Sequence, residues 1–327
     1  MKRIFILTAL SMLTACSHIS TPSHNTFSSI EETKVSCYDF PFPKDPAPTD
    51  PNKLTKLTKI QAKFECQWFT YNVDGHSVRG VYLYSKTADT TKRPVIIVNR
   101  GGNALSGVVP FKFIVSQFLP LANAGYVVIA SQYRGARESN KPPEDYLADE
   151  FGGKDVNDVL ALLPIIDSMP QADSNRIGML GGSRGAMMGY LAATHTNRIR
   201  ALVTIGGPTD LLKEIPYRPV MEDNVLSRWI PNYYQNREAE LIHRSAQKWP
   251  EKLPKHMAVL LMHGEQDDKV QPENSINMAE KLKQEGIPHK LMLFPNAGHS
   301  IKNKENKKEF HQAILQWFDQ HVKNGSN

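Results

Sequence analysis

The chain has 327 residues, 40% hydrophobic and 22% charged, with 39 Lys+Arg against 33 Asp+Glu and a formal net charge of +6. That balance excludes an intrinsically disordered or collagen-like chain and leaves room for one sizeable core. The basic residues are interleaved with acids, as in Lys302, Lys304, Glu305, Lys307, Lys308 and Glu309, which reads as a solvated helix face and excludes the basic stripe of a nucleic-acid partner.

In chain order, Lys2-Arg3 is followed by an apolar run from Ile4 to Leu10 and then by Leu13-Thr14-Ala15-Cys16. The run is shorter than the roughly 20 residues that cross a bilayer, so residues 1–15 read as a signal peptide. Small residues before a cysteine resemble the lipobox of bacterial lipoproteins. The resemblance implies cleavage before Cys16, acylation of its thiol and a lipid anchor in the cell envelope. Ser17 then implies the outer membrane, facing the periplasm. Export puts Cys37 and Cys66 in an oxidising compartment and makes them a candidate disulfide, which would close a loop of about 30 residues and contribute about 3–4 kcal/mol.

Residues 16–58 are rich in Ser, Thr, Pro and Lys, and Pro41, Pro43, Pro46, Pro48 and Pro51 predict a tether and irregular arm. The globular domain is expected over 59–327. Phe64, Cys66 and Trp68 alternate with polar residues, Asp74-Gly75 supplies a turn, and Val78 to Tyr84 alternates again, which predicts a hairpin. Strands follow at Pro94–Asn99, Tyr126–Ser131, Arg176–Gly181, Ala201–Ile205, His256–His263 and Lys290–Phe294. Helices are expected at Phe113–Asn123, Asp155–Ser168, Gly185–Thr194, Ser275–Glu285 and Lys304–His321, the last with Phe310, Ile314, Trp317 and Phe318 on one face. Continuous apolar strands such as Val95-Ile96-Ile97-Val98 indicate burial on both faces, hence an α/β fold whose mainly parallel sheet is covered by helices on both faces. The alternation stops at 209–254, which reads as a helical insertion over the carboxyl edge of the sheet.

Gly181-Gly182-Ser183-Arg184-Gly185 fits G-x-S-x-G between an apolar strand and a small-residue helix, the context in which a serine is exposed on a strained strand-to-helix turn. A serine hydroxyl needs a base, and the base an orienting carboxylate. Asp267 and Asp268 follow the strand ending at His263, and His299 follows the strand ending at Phe294, giving the order Ser, acid, His at strand ends. His195, His243, His263 and His289 lack metal-ligand spacing and no HExxH occurs, so neither a metal nor another cofactor is expected.

These segments resemble the catalytic domain of the prolyl-oligopeptidase family of serine peptidases, over roughly residues 70–320. The match rests on GYVVIASQYRG (Gly125–Gly135), RIGMLGGSRGA (Arg176–Ala186), His263–Val270 and His299. The resemblance implies an α/β-hydrolase fold, a triad of Ser183, Asp267 and His299 with Asp267 chosen over Asp268, and an acyl-enzyme mechanism. One oxyanion donor is expected from the Arg184 N–H. The second is expected from Asn99-Arg100-Gly101-Gly102-Asn103, through the Gly101 N–H, with the Arg100 side chain as alternative; Arg100 could also bind a substrate carboxylate or pair with a surface acid. Arg134 and Arg137 read as structural ion-pair formers, or as residues facing the substrate. Too few residues precede the hairpin for the family's β-propeller. Neither Glu31-Glu32 nor Glu144-Asp145 has the context of a glutamate pair that binds a free amino terminus. The expected substrate is a short peptide or an ester, with a carboxylesterase or a non-catalytic envelope-binding lipoprotein as alternatives; the oligomeric state is not encoded legibly.

Overall fold

The computed structural model describes residues 30–41, 45–87, 91–104, 106–136, 148–301 and 303–325. The signal peptide, Cys16, Arg137 and Glu144-Asp145 lie outside them. Among the described residues nine strands form one sheet: β1 (Ile30–Ser36), β2 (Phe64–Val73), β3 (His76–Ser85), β4 (Arg93–Asn99), β5 (Val127–Ser131), β6 (Ala172–Gly182), β7 (Ile199–Ile205), β8 (Ala258–Gly264) and β9 (His289–Phe294). Their order is β1-β2-β3-β5-β4-β6-β7-β8-β9. The first three strands and β5 pair antiparallel, and the run from β5 through β4 to β9 is parallel.

Parallel strands need crossovers, and the crossover helices cover both faces. Along β4, Val95 and Ile97 enter one core while Ile96 and Val98 enter the other; β8 divides likewise, with Val259 and Leu261 against Leu260 and Met262. One core receives Met187, Met188 and Leu191 from the helix Arg184–Ala193 and Met278 and Leu282 from Glu273–Gln284. The other receives Ile114, Phe118 and Leu121 from the helical stretch 111–123 and Phe310, Ile314 and Phe318 from Lys304–Phe318, where Trp317 packs at the margin.

The arm departs from its irregular reading. Its strand β1 adds to the sheet edge, and Cys37, just after it, is bonded to Cys66 on β2, with both residues 1% exposed. Glu31 and Glu32 fall on this edge strand. A helix also spans Pro51–Lys63, opened by the Asp50 side chain accepting from the Lys53 N–H at 2.9 Å. Pro51 starts this helix rather than preventing it, because the first helical residue has no intrahelical use for its N–H and a fixed φ suits it. The expected helix over 155–168 breaks at Ala161 into Asp155–Leu160 and Leu162–Ser168.

Candidate active site

Ser183 sits between the end of β6 and the first turn of the helix Arg184–Ala193, at φ 54° and ψ −126°. Such a backbone costs a non-glycine residue about 1–3 kcal/mol and persists only where surroundings enforce it. Here the Ser183 N–H donates to the Ile205 carbonyl at 2.8 Å. The flanking glycines are required sterically: a Cβ on Gly181 would lie 2.2 Å from the Gly185 carbonyl oxygen, and one on Gly185 would lie 2.0 Å from that of Asn99.

The turn after β8 buries the Asp267 carboxylate completely. Its Oδ1 accepts from the backbone N–H groups of Lys269 (2.8 Å) and Val270 (3.0 Å), while Oδ2 faces His299 Nδ1 at 2.8 Å and His263 Nε2 at 3.1 Å. Burial opposes ionisation of this carboxyl, but the hydrogen bonds from His263, His299 and the two backbone groups outweigh it and hold it well below the usual carboxylate range. An ionised acceptor at Nδ1 fixes the proton there and leaves His299 Nε2 with its lone pair free. Asp268, one residue on, is exposed and pairs with Lys269 at 3.0 Å. Of the two aspartates only Asp267 meets His299.

Two residues of this arrangement, His263 and Gly206, were given no part in the site by the sequence. His263, fully buried at the end of β8, accepts from the Ser275 hydroxyl at Nδ1 (2.7 Å) and directs Nε2 at both Asp267 and the Val270 carbonyl (3.0 Å). Its signal was its place four residues before the aspartate, at a strand end. Gly206, after β7, has φ +54°, and a Cβ there would lie 3.1 Å from Asp267 Oδ2 and 3.4 Å from His299 Nδ1. The positive φ favours glycine, and a side chain there would crowd the Asp-His pair from below.

Ser183 and His299 together line two cavities. One, of about 310 Å³, is walled by Phe151, Leu211, Met221, Val225 and Val270, so that the 209–254 insertion forms one side of it. The other, of about 290 Å³, lies against Gly101, Gly182, Phe113 and Phe310. Gly101 stands beside the serine, where a Cβ would be 3.4 Å from Ser183 Cβ, and Arg184 begins the helix below it. The Arg100 side chain, in contrast, is turned away from both cavities. It is 2% exposed, donates from Nε to the Gln132 carbonyl at 2.7 Å, and lies over the Tyr133 ring at 4.5 Å. It is therefore neither a direct oxyanion donor, nor placed for a substrate carboxylate, nor on the surface; the apolar and aromatic packing under the loop takes its long side chain inward. Arg134 is structural, bridging the buried Asp158 and Asp74 at 2.7 Å each. The Arg184 side chain binds Asp149 at 2.7 Å and also Asp155, leaving its backbone N–H at the helix start. Among the described residues no group of three or more His, Cys, Asp or Glu could hold a metal ion.

Residues 111–325 match the family model described as the prolyl oligopeptidase family. The chain is 25% identical over 276 residues to dipeptidyl-peptidase 5 of Porphyromonas gingivalis, covering 83% of this chain and 39% of that protein. It is 27% identical over 248 residues to an uncharacterized peptidase, YtmA, of Bacillus subtilis, covering 76% of this chain and 90% of that one. The chain thus spans about two fifths of the length of the first relative and most of the second. Among solved structures, the uncomplexed acylaminoacyl peptidase of Pyrococcus horikoshii superposes with a TM-score of 0.69 at 21% identity, over 85% of this chain and 45% of that one. The sheet order and its helical cover are those of the α/β-hydrolase fold.

Proposed function

Because the chain belongs to the prolyl oligopeptidase family, we propose that it is a serine hydrolase of peptide bonds acting through Ser183, His299 and Asp267. The observation that carries this reading is the Asp267–His299 pairing at 2.8 Å beside a serine held at positive φ, with Ser183 and His299 lining the same cavities. In the proposed reaction His299 Nε2 takes the Ser183 hydroxyl proton as Oγ bonds to the substrate carbonyl carbon, and the carbonyl electrons move onto oxygen. The N–H groups of Arg184 and Gly101 are the proposed donors to that oxygen. Collapse breaks the bond to the leaving amine, which receives the proton from His299; water then enters by the reverse sequence and frees the acid. Asp267, ionised across the working range, keeps the proton on Nδ1 and steadies the imidazolium.

The names of the relatives, a dipeptidyl-peptidase and an acylaminoacyl peptidase, favour a short peptide as substrate. The apolar wall of Phe151, Leu211, Met221 and Val225 suits an apolar side chain on the acyl residue. The cellular setting proposed here is that of a lipoprotein anchored through acylated Cys16 in the cell envelope, on the outer membrane facing the periplasm; the Leu13-Thr14-Ala15-Cys16 run supports it. The test is turnover of a matched peptidyl anilide and peptidyl ester of the same apolar side chain. Hydrolysis of the anilide is expected. Cleavage of the ester alone would make the protein a carboxylesterase, and inertness toward both would favour the non-catalytic binding lipoprotein.

A further inference from the structure

Arg100 is a buried cation whose position stability does not explain. Among the described residues no salt bridge joins it to a carboxylate, and its Nη2 has no hydrogen-bond partner. Burial, together with the charge of neighbouring Arg184, pushes its guanidinium down to about 10. Removing such a group from water is costly, and an apolar side chain of similar volume in its place is often neutral or stabilising. The bonds it does make all go to backbone carbonyls near the serine. Nη1 donates to Gly101 O at 3.1 Å and Nε to Gln132 O at 2.7 Å, and the guanidinium closes against Gly107, where a Cβ would lie 2.1 Å from Nη1. A second buried arginine completes the hold, since Arg184 Nη1 donates to Gly102 O at 3.1 Å. Tyr133 lies under both guanidinium groups, with their carbons 4.5 Å and 5.3 Å from its ring centre, and its hydroxyl reaches the Arg100 carbonyl at 3.5 Å.

These contacts fix the direction of three successive carbonyls, those of Arg100, Gly101 and Gly102. In a planar trans peptide the N–H points opposite to the C=O of the same unit. The Arg100 carbonyl is directed inward, toward the Tyr133 hydroxyl and toward Gly185, where a Cβ would approach it to 2.9 Å. The Gly101 N–H of that unit then points outward, to the side where Gly101, Gly182, Ser183 and His299 border one cavity. We propose that Arg100 is a positioning residue for the reaction: it acts through the loop backbone, holding the Gly101 carbonyl of one peptide unit and stacking on Tyr133, whose hydroxyl meets the Arg100 carbonyl of the unit before it, so that the loop keeps the Gly101 N–H aimed at the acyl oxygen. The proposal rests on the reading of Ser183 as nucleophile. It explains why a guanidinium is kept in a buried place where no carboxylate among the described residues forms a salt bridge with it. It also gives Arg100 an electrostatic share, since a positive charge behind the loop favours the negative charge that develops in front of it.

The test compares wild type, Arg100→Met and Arg100→Lys in kcat, KM and thermal midpoint on a peptidyl anilide. Loss of one oxyanion donor typically costs about 10² to 10³ in rate, and a donor left in place but no longer held should cost less, about 10 to 100. Arg100→Met is expected to lower kcat by that factor with KM changed less than about threefold, and to melt at the wild-type temperature or above it. Arg100→Lys keeps the charge but cannot hold both carbonyls, so it is expected to recover only part of the loss. Wild-type kcat in Arg100→Met would overturn the proposal, as would a loss of kcat that follows a lowered melting temperature, or full recovery by Arg100→Lys, which would assign the effect to charge alone. A wild type inert toward both anilide and fluorophosphonate would overturn the Ser183 reading together with this one; an active wild type with an equally active Arg100→Met overturns this one alone.

Discussion

Replacing Asp267 by Asn keeps the volume of the side chain and changes its hydrogen-bonding sense. The carboxylate accepts at both oxygens, from the Lys269 and Val270 N–H groups on one side and from His299 and His263 on the other. An amide satisfies only one side as an acceptor. With its oxygen toward the two backbone groups, its NH2 faces His299 Nδ1, which must then give up its proton and carry it on Nε2. That tautomer has no lone pair for the Ser183 proton. A loss of about 10⁴ in kcat is expected, by analogy with the same change in a serine protease triad, equivalent to about 5.5 kcal/mol in the barrier. Stability should fall as well. Hydrogen bonds to a charged group contribute about 1.5–3 kcal/mol each, and two are lost, but His299 is partly exposed and its share is discounted, giving about 2–3 kcal/mol at neutral pH. The folded carboxyl is held below its unfolded value of about 3.9, so its contribution is complete above about pH 5 and is lost as pH falls toward the folded value. Urea unfolding of wild type and Asp267→Asn at pH 7 and pH 3, with anilide turnover at pH 7, measures all three effects. Asp268→Asn, altering an exposed side chain paired only with Lys269, should be indistinguishable from wild type. The reasoning is refuted if Asp268→Asn abolishes turnover and Asp267→Asn does not, or if the stability gap between wild type and Asp267→Asn is as large at pH 3 as at pH 7.

Gly206→Ala places a methyl group 3.1 Å from Asp267 Oδ2 at a φ of +54°, so it is expected to strain the backbone by about 1 kcal/mol and to lower kcat by displacing the Asp-His pair; steady-state kinetics beside a thermal melt separates the two effects. Opening the Cys37–Cys66 bond releases a loop with a sequence separation of 29 and should lower stability by about 3–4 kcal/mol; denaturant unfolding with and without reductant reads this, and coincident curves would contradict it. Arg134→Met leaves the buried Asp158 carboxylate with the backbone N–H of residue 134 but without its cation, and should cost about 3–5 kcal/mol in the same assay, with little change in KM if the protein still folds.

The sheet and its helices were legible because burial on both faces leaves continuous apolar strands, and turns between them carry their own chemistry. Ser183, Asp267 and His299 come to one edge for a related reason: each lies on the turn that follows a strand, so strand ends in the sequence become neighbours in space. The arm was misread because Pro51 was weighed as a helix breaker, although Asp50 before it supplies the helix start. Strand β1 was not visible because its partner, β2, lies beyond the whole intervening helix. The contact of His263 with Asp267, and the place of Gly206, are not carried by local pattern, because both depend on an acid made by another turn. Arg100 was placed in the right loop but facing the wrong way. Its direction depends on Gln132, Tyr133 and Gly107 together, and no single segment contains them all.

Labelling of the purified protein with a fluorophosphonate, with the adduct located by peptide mass in wild type and in Ser183→Ala, tests the central claim most directly. The account expects one adduct, on Ser183, that disappears in the Ser183→Ala protein. An unlabelled wild type, or an adduct that persists on another residue in Ser183→Ala, would contradict it.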